Sequence, residues 1–125
     1  MNTRFVSFTD SNAFKLTDSL SDRIWEIVTV WDWFAKRTIG TQITTAFDSI
    51  PANLAEGFGR YHKKDKQKFY YNARGSAYES LFWAEKASKR KLITNTQYEE
   101  LRKELMAVPK EINWLIKVTE EKLKV

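Results

Sequence analysis

One histidine and no cysteine bound the chemistry open to this chain. A thiol nucleophile and a thiolate metal site both require cysteine, so both are excluded. His62 stands beside Lys63 and Lys64 and has no second histidine to complete a metal site. A Ser-His-Asp triad would have to draw it from an exposed connection, with no Gly-x-Ser-x-Gly elbow beside it. A di-metal carboxylate site inside a helical bundle needs Glu-x-x-His on two helices and two further glutamates. Glu56 is followed at the third position by Gly59, and Glu79 by Phe82, so the histidine half is missing. Gly57-Phe58-Gly59 closes a helical pattern, whereas a phosphate loop opens one. The expectation is a protein that is not an enzyme and has no metal and no cofactor.

Binding chemistry is better represented. Gln42, Ser49, Asn53, Glu56 and Arg60 recur at helical spacing, about a quarter turn from the apolar line Ile39, Ile43, Ala46, Ile50, Leu54 and Gly57. With Ser76 and Glu79 further on, they make a polar seam at the edge of a core. One reading has these groups tie the second helix to the third and fix their register. The other has them line a pocket for an anionic or nucleotide ligand held by Arg60 and Arg74. Arg60, Lys63, Lys64, Lys66 and Lys68 against Asp65 form a local excess of positive charge, and Lys86, Lys89, Arg90 and Lys91 form another. Such patches attract phosphate backbones through counterion release; the plainer reading is lysine solvating helix ends. Trp25, Trp33, Tyr61 and Tyr70 could stack unpaired bases or serve as core aromatics. Tyr71, Gly75, Tyr78 and Phe82 form a second face on the third helix, and a helix in a monomeric bundle needs only one. That face is expected to meet another subunit.

The elements that hold these residues are helices. With 125 residues the chain suits one domain. Four glycines and two prolines are few for a loop-rich fold, and 30% charged residues suit solvated helix faces. The formal charge is +5. No apolar run reaches the roughly 18 to 20 residues of a membrane span, and no signal segment opens the chain, so a cytoplasmic protein without membrane contact is expected. Residues 1–13 read as a flexible arm and 14–125 as the domain. Leu16 to Trp31 form a first helix, with Thr17 or Ser19 as its cap. Asp32 caps a second, from Trp33 to Tyr61, with Pro51 inside it. The third runs from Lys64 to Lys89, its small-residue stripe (Phe69, Ala73, Ala77, Ala84) allowing close packing. Thr94 and Gln97 form a capping box that opens the fourth, where apolar residues from Tyr98 to Leu123 step by three and four through Pro109. The reading is an all-α, antiparallel up-down-up-down four-helix bundle.

The words Gly40-x-Gln42, Ala46-x-Asp48-Ser49-Ile50, Asn53-x-Ala55-Glu56-Gly57, Gly59-Arg60-Tyr61 and Phe69-x-x-x-Ala73-Arg74-Gly75-Ser76-x-x-Glu79 carry a resemblance. From about Leu20 onward the chain resembles the four-helix-bundle family encoded by intervening sequences in bacterial large-subunit ribosomal RNA genes. The resemblance implies a bundle that assembles into a homo-oligomeric ring, commonly a pentamer, without established enzymatic activity. It also implies kinship with retroelement accessory proteins that bind nucleic acid and a polymerase. Many members carry a basic residue where this chain has Thr44 and Thr45, which argues against carrying a nucleic-acid contact over to this helix. At the place of His62 relatives often have a serine that caps the third helix. The function expected is an oligomeric module that binds nucleic acid, as structured RNA, through Arg60, Lys63, Lys64, Lys66, Lys68 and Arg74. The alternative is a scaffold or accessory subunit that meets a protein partner through its aromatic surface.

Overall fold

Caps set most of the helix starts. A computed structural model describes residues 11–123 of the chain. Ser11 Oγ accepts from the Phe14 amide and opens α1, Asn12–Val28. The cap lies upstream of the expected Thr17 or Ser19. Thr17 instead sits buried in the helix and donates its hydroxyl back to Ala13 O at 2.8 Å. Ser11, Asn12 and Ala13 thus belong to α1 and its cap, and the rest of the expected arm lies outside the described residues. Asp32 accepts from Ala35 N at 3.0 Å and caps α2, Trp33–Ala35. A π-helical turn, Lys36–Gly40, leads on into α3, Thr41–Phe58. After a short connection come α4, Lys63–Lys89, and α5, Asn95–Lys122, the latter under the complete Thr94–Gln97 capping box. Pro51 and Pro109 lie within α3 and α5 without ending them.

The π turn follows from residue spacing. Lys36, Ile43 and Ile50 are seven apart, so an unbroken α-helix would bring all three onto one face. That would bury a lysine. Widening one turn absorbs a residue and rotates the preceding side chains by about 100° relative to α3. Ala35 then takes the buried place and Lys36 is exposed. Thr41 supports the wide turn by donating its hydroxyl to Lys36 O at 3.1 Å.

The expected second helix is therefore α2, the π turn and α3 in one rod. Successive rods run antiparallel, and α1 packs on α3, α3 on α4, α4 on α5 and α5 back on α1. No strand occurs among the described residues. The core is Leu20 and Ile24 of α1, Ile43, Phe47, Ile50 and Leu54 of α3, and Leu101, Leu105, Val108 and Ile112 of α5. Against them α4 sets Ala73, Ala77, Ser80, Ala84 and Ala87; of the stripe expected from the sequence, Ala73, Ala77 and Ala84 are in the core, whereas Phe69 is only half-buried and Ala87 joins them.

Small residues let α4 approach closely, and Gly57 of α3 takes this furthest. A Cβ there would stand 2.5 Å from Tyr70 Cε1 and 3.1 Å from Lys66 O. Tyr70 is buried, edge-on to Phe58 at 5.8 Å between ring centroids. Burial pushes its phenol up to about 12, against a smaller opposing effect from a hydrogen bond with Thr119.

Candidate nucleic-acid interface

The two basic clusters sit at opposite ends of the bundle, one at the α3–α4 connection and one at the α4–α5 connection. At the first, four lysines, Lys63, Lys64, Lys66 and Lys68, fall in the first two turns of α4, where the helix dipole is positive and cations are disfavoured. His62 occupies the N-cap position in extended conformation, yet its side chain caps nothing. Its ring meets Tyr61 edge-on at 5.1 Å. The first amides of α4 therefore have no side-chain acceptor, while Tyr61 stands 74% exposed beside them.

Two of the expected cations are committed to the fold. Lys66 is half-buried and donates to Phe58 O at 3.0 Å and Gly57 O at 3.3 Å, closing the carbonyl end of α3. Desolvation holds its ammonium below the usual lysine range. Lys63 Nζ lies 3.1 Å from Glu120 Oε2 of α5. Gln67 donates to the other oxygen of that carboxylate at 2.9 Å, and its bond, followed by that of Lys63, holds Glu120 below the ordinary carboxylate range. Arg60 pairs with Glu56 at 2.8 Å on the exposed surface, its guanidinium 4.8 Å from the Phe69 ring centroid. Lys68 Nζ approaches that ring at 5.7 Å, and Lys64 is exposed. Arg74 is drawn away to α5, where it donates to Asn113 Oδ1 at 2.6 Å and covers Tyr71 at 4.7 Å.

Residues 9–114 match the family described as the 23S rRNA-intervening sequence protein. The chain belongs to that family. Among solved structures it is similar to a protein of unknown function from the S23 ribosomal protein family of Bacteroides thetaiotaomicron. The TM-score is 0.75 and the identity 22%, over 84% of this chain and 95% of that one, a likeness of fold. No curated protein matches the chain.

In this member of the 23S rRNA-intervening sequence protein family, the polar seam does not join the second helix to the third. Ser49 donates to Thr45 O at 2.7 Å and Asn53 to Ser49 O at 2.8 Å, both within α3. Glu56 holds Arg60, and Glu79 accepts from Trp83 Nε1 at 3.3 Å within α4. Gln42 is exposed and Ser76 half-buried. Ser49 and Asn53 turn inward to their own helix because the carbonyl four residues back is the nearest acceptor on a helix, and Glu56 and Glu79 meet donors four residues ahead. Register is held by other pairs: Ser21 donates to Asp48 between α1 and α3, and Arg23 lies 2.6 Å from Glu104 between α1 and α5. Asp48 carried no role in the sequence reading, although it stands inside one of the motif words.

The second face of α4 is open. Tyr71, Tyr78 and Phe82 are each about half exposed, and nothing lies within 4 Å of a Cβ built on Gly75. Of the proposed stacking residues, Tyr70 is core, whereas Trp25, Trp33 and Tyr61 are exposed. No group of three or more His, Asp and Glu among the described residues is placed to hold a metal ion. No helix among them is long and apolar enough to cross a membrane.

Proposed function

We propose that the protein is a non-enzymatic, self-associating helical module that binds nucleic acid at the α3–α4 rim. The carrying observation is the start of α4, where uncapped amides stand together with Lys64, Lys68, Arg60 and the exposed Tyr61. A helix N-terminus and surrounding cations act together on a phosphate oxygen, and an exposed ring offers a face to a base. The Glu56–Arg60 pair is exposed, and such pairs contribute at most about 1 kcal/mol, so Arg60 is free to exchange its partner for phosphate. Lys63 and Lys66 support the rim from behind. Self-association rests on the open face of α4, whose aromatic side chains are of the kind that contribute most at interfaces. A ring would repeat the rim on every subunit and add weak phosphate contacts through avidity. The cytoplasm is the compartment this reading implies.

The double variant Lys64→Glu, Lys68→Glu tests the rim. Native protein is expected to bind structured RNA with log affinity falling against log salt, and the variant to lose most of that affinity with its melting temperature unchanged. Equal binding by both proteins removes the rim from consideration. A second reading, an accessory subunit that meets a protein partner through Tyr71, Tyr78 and Phe82, is favoured by the same open face. Its contact would hardly respond to salt.

A further inference from the structure

Trp25, Val30, Trp33 and Phe34 are 60%, 83%, 69% and 69% exposed, an unusual concentration of large apolar side chains within ten residues of sequence. The same stretch buries Val28, Trp31 and Ala35, so it is well packed on its inner side. An open groove of about 380 Å³ lies between α1 and α3 here. Trp25 and Thr29 form its α1 wall, Thr41, Thr44 and Thr45 its α3 wall, and Lys36 stands at its head. Gly40 keeps the floor thin: a Cβ there would be 3.1 Å from Val28 Cγ1. The π turn creates the site, because without it Lys36 would point along the Ile43–Ile50 face. Thr29 and Thr41 spend their hydroxyls on backbone carbonyls, at 3.0 Å to Glu26 O and 3.1 Å to Lys36 O. Among the described residues, Thr44 and Thr45 hydroxyls and the Lys36 ammonium have no such partner. No carboxylate lines the groove. Glu26, next to Trp25 in sequence, is exposed and lines other surface hollows, and Asp32 and Asp48 are held by Ala35 N and the Ser21 hydroxyl. Arg37 extends the positive charge, its guanidinium 4.8 Å from the Trp33 ring centroid.

A flat indole, two free hydroxyls that can donate or accept, and an ammonium without a counter-charge match the parts of a nucleotide. We propose that this groove takes one unpaired nucleotide of a single-stranded nucleic acid, the base stacked on Trp25, its edge on Thr44 and Thr45, and a phosphate on Lys36. Stacking needs an exposed face of the base, so a duplex does not fit. The groove shares its ligand class with the α3–α4 rim but none of its residues, so either site can fail alone.

Fluorescence anisotropy with a short labelled oligouridylate and with an RNA duplex tests this. Trp25→Ala is expected to weaken oligouridylate binding about tenfold and to leave duplex binding unchanged, with Trp25→Phe retaining most of the affinity. Lys36→Ala should weaken the single strand and reduce its salt slope by about one. The same titration on the Lys64→Glu, Lys68→Glu protein separates the sites: Trp25-dependent binding should survive there even as duplex binding falls. Oligouridylate binding that ignores Trp25→Ala, or that is absent in native protein, overturns the proposal whatever the rim does. So does a Trp25→Ala protein whose mass in light scattering drops from that of the native assembly, because a second copy of the chain would then cover the groove.

Discussion

Where α3 turns into α4, the fold consumes Lys63, Lys66 and Tyr70 and leaves Arg60, Tyr61, Lys64 and Lys68 on the surface; where α1 turns into α2 and α4 into α5, similar residues face outward. At the first end Lys66 closes the α3 carbonyls, Lys63 holds Glu120, and Tyr70 is buried under Gly57. At the second, Lys36, Arg90 and Lys91 are exposed, Arg37 lies on an exposed Trp33, and Lys86 covers the half-exposed Phe82 at 5.6 Å. Only Lys89 approaches a carboxylate there, Glu85 at 4.0 Å. A count of lysines therefore does not measure the charge available to a ligand. What matters is whether a neighbouring helix offers carbonyls or a carboxylate within reach. The contrast predicts that substitutions at Gly57, Lys66 and Tyr70 act on stability, whereas those at Lys64 and Lys68 and at the outward-facing residues of the second end act on binding.

The sharpest break comes at Gly57. Alanine there gains about 1 kcal/mol of helix propensity, but its methyl group collides with a buried ring and with the α4 backbone. A net loss of roughly 2 to 4 kcal/mol is expected in urea denaturation, and a stable Gly57→Ala protein would mean that α3 and α4 separate easily. Tyr70 gives the next largest effect. Unfolded, its phenol ionises near 10; folded, it holds its proton to about 12. Between these values the unfolded chain binds fewer protons, so stability is whole below pH 10 and falls as pH rises through the window. The loss is roughly 3 kcal/mol, and thermal melts of Tyr70→Phe should lack that part of it.

Much of this contrast was illegible in the sequence for a physical reason. The capping box of Thr94 and Gln97 and the cap at Asp32 are local, so four residues contain all the information. The apolar line of α5 from Tyr98 onward is equally plain, because one period runs through it. The fold class followed from such features. The π turn was not read, although Lys36, Ile43 and Ile50 at sevens announce a lysine on the core line. Resolving that conflict required knowing that Ala35 could replace it. Lys64 and Lys66 look alike in sequence and differ only because the end of α3 lies over one of them. Helix periodicity places Asn53 beside the apolar line but does not say whether it bonds across to α4 or back to Ser49. Trp25 and Trp33 were offered as core or as stacking platforms, and only packing decided that they face outward.

A milder substitution refines the first half of the comparison. Lys66→Ala removes two hydrogen bonds and a cation from the C-terminal end of α3, where the dipole favours positive charge. A loss of about 1 kcal/mol is expected in urea denaturation, whereas Lys64→Ala, two residues away and exposed, should change stability by less than about 0.5 kcal/mol. Equal effects would erase the distinction between committed and available cations.

The smallest effect belongs to the opposite end. Trp33 and Phe34 are large enough that truncation in a core would cost about 3 to 5 kcal/mol. Both are 69% exposed, so little of their apolar surface leaves water on folding and no cavity forms when they are cut back. What Trp33→Ala does lose is the contact with Arg37, and an exposed cation–π pair contributes about 0.5 to 1 kcal/mol. Phe34 has no such contact to lose, so Phe34→Ala should stay within about 0.5 kcal/mol of the native chain. Melts of the two variants, run below the concentration at which the native protein associates, isolate these terms from any interface. A loss above about 2 kcal/mol in either would place these rings among residues that hold the bundle together, and the outward-facing character of this end would have to be abandoned.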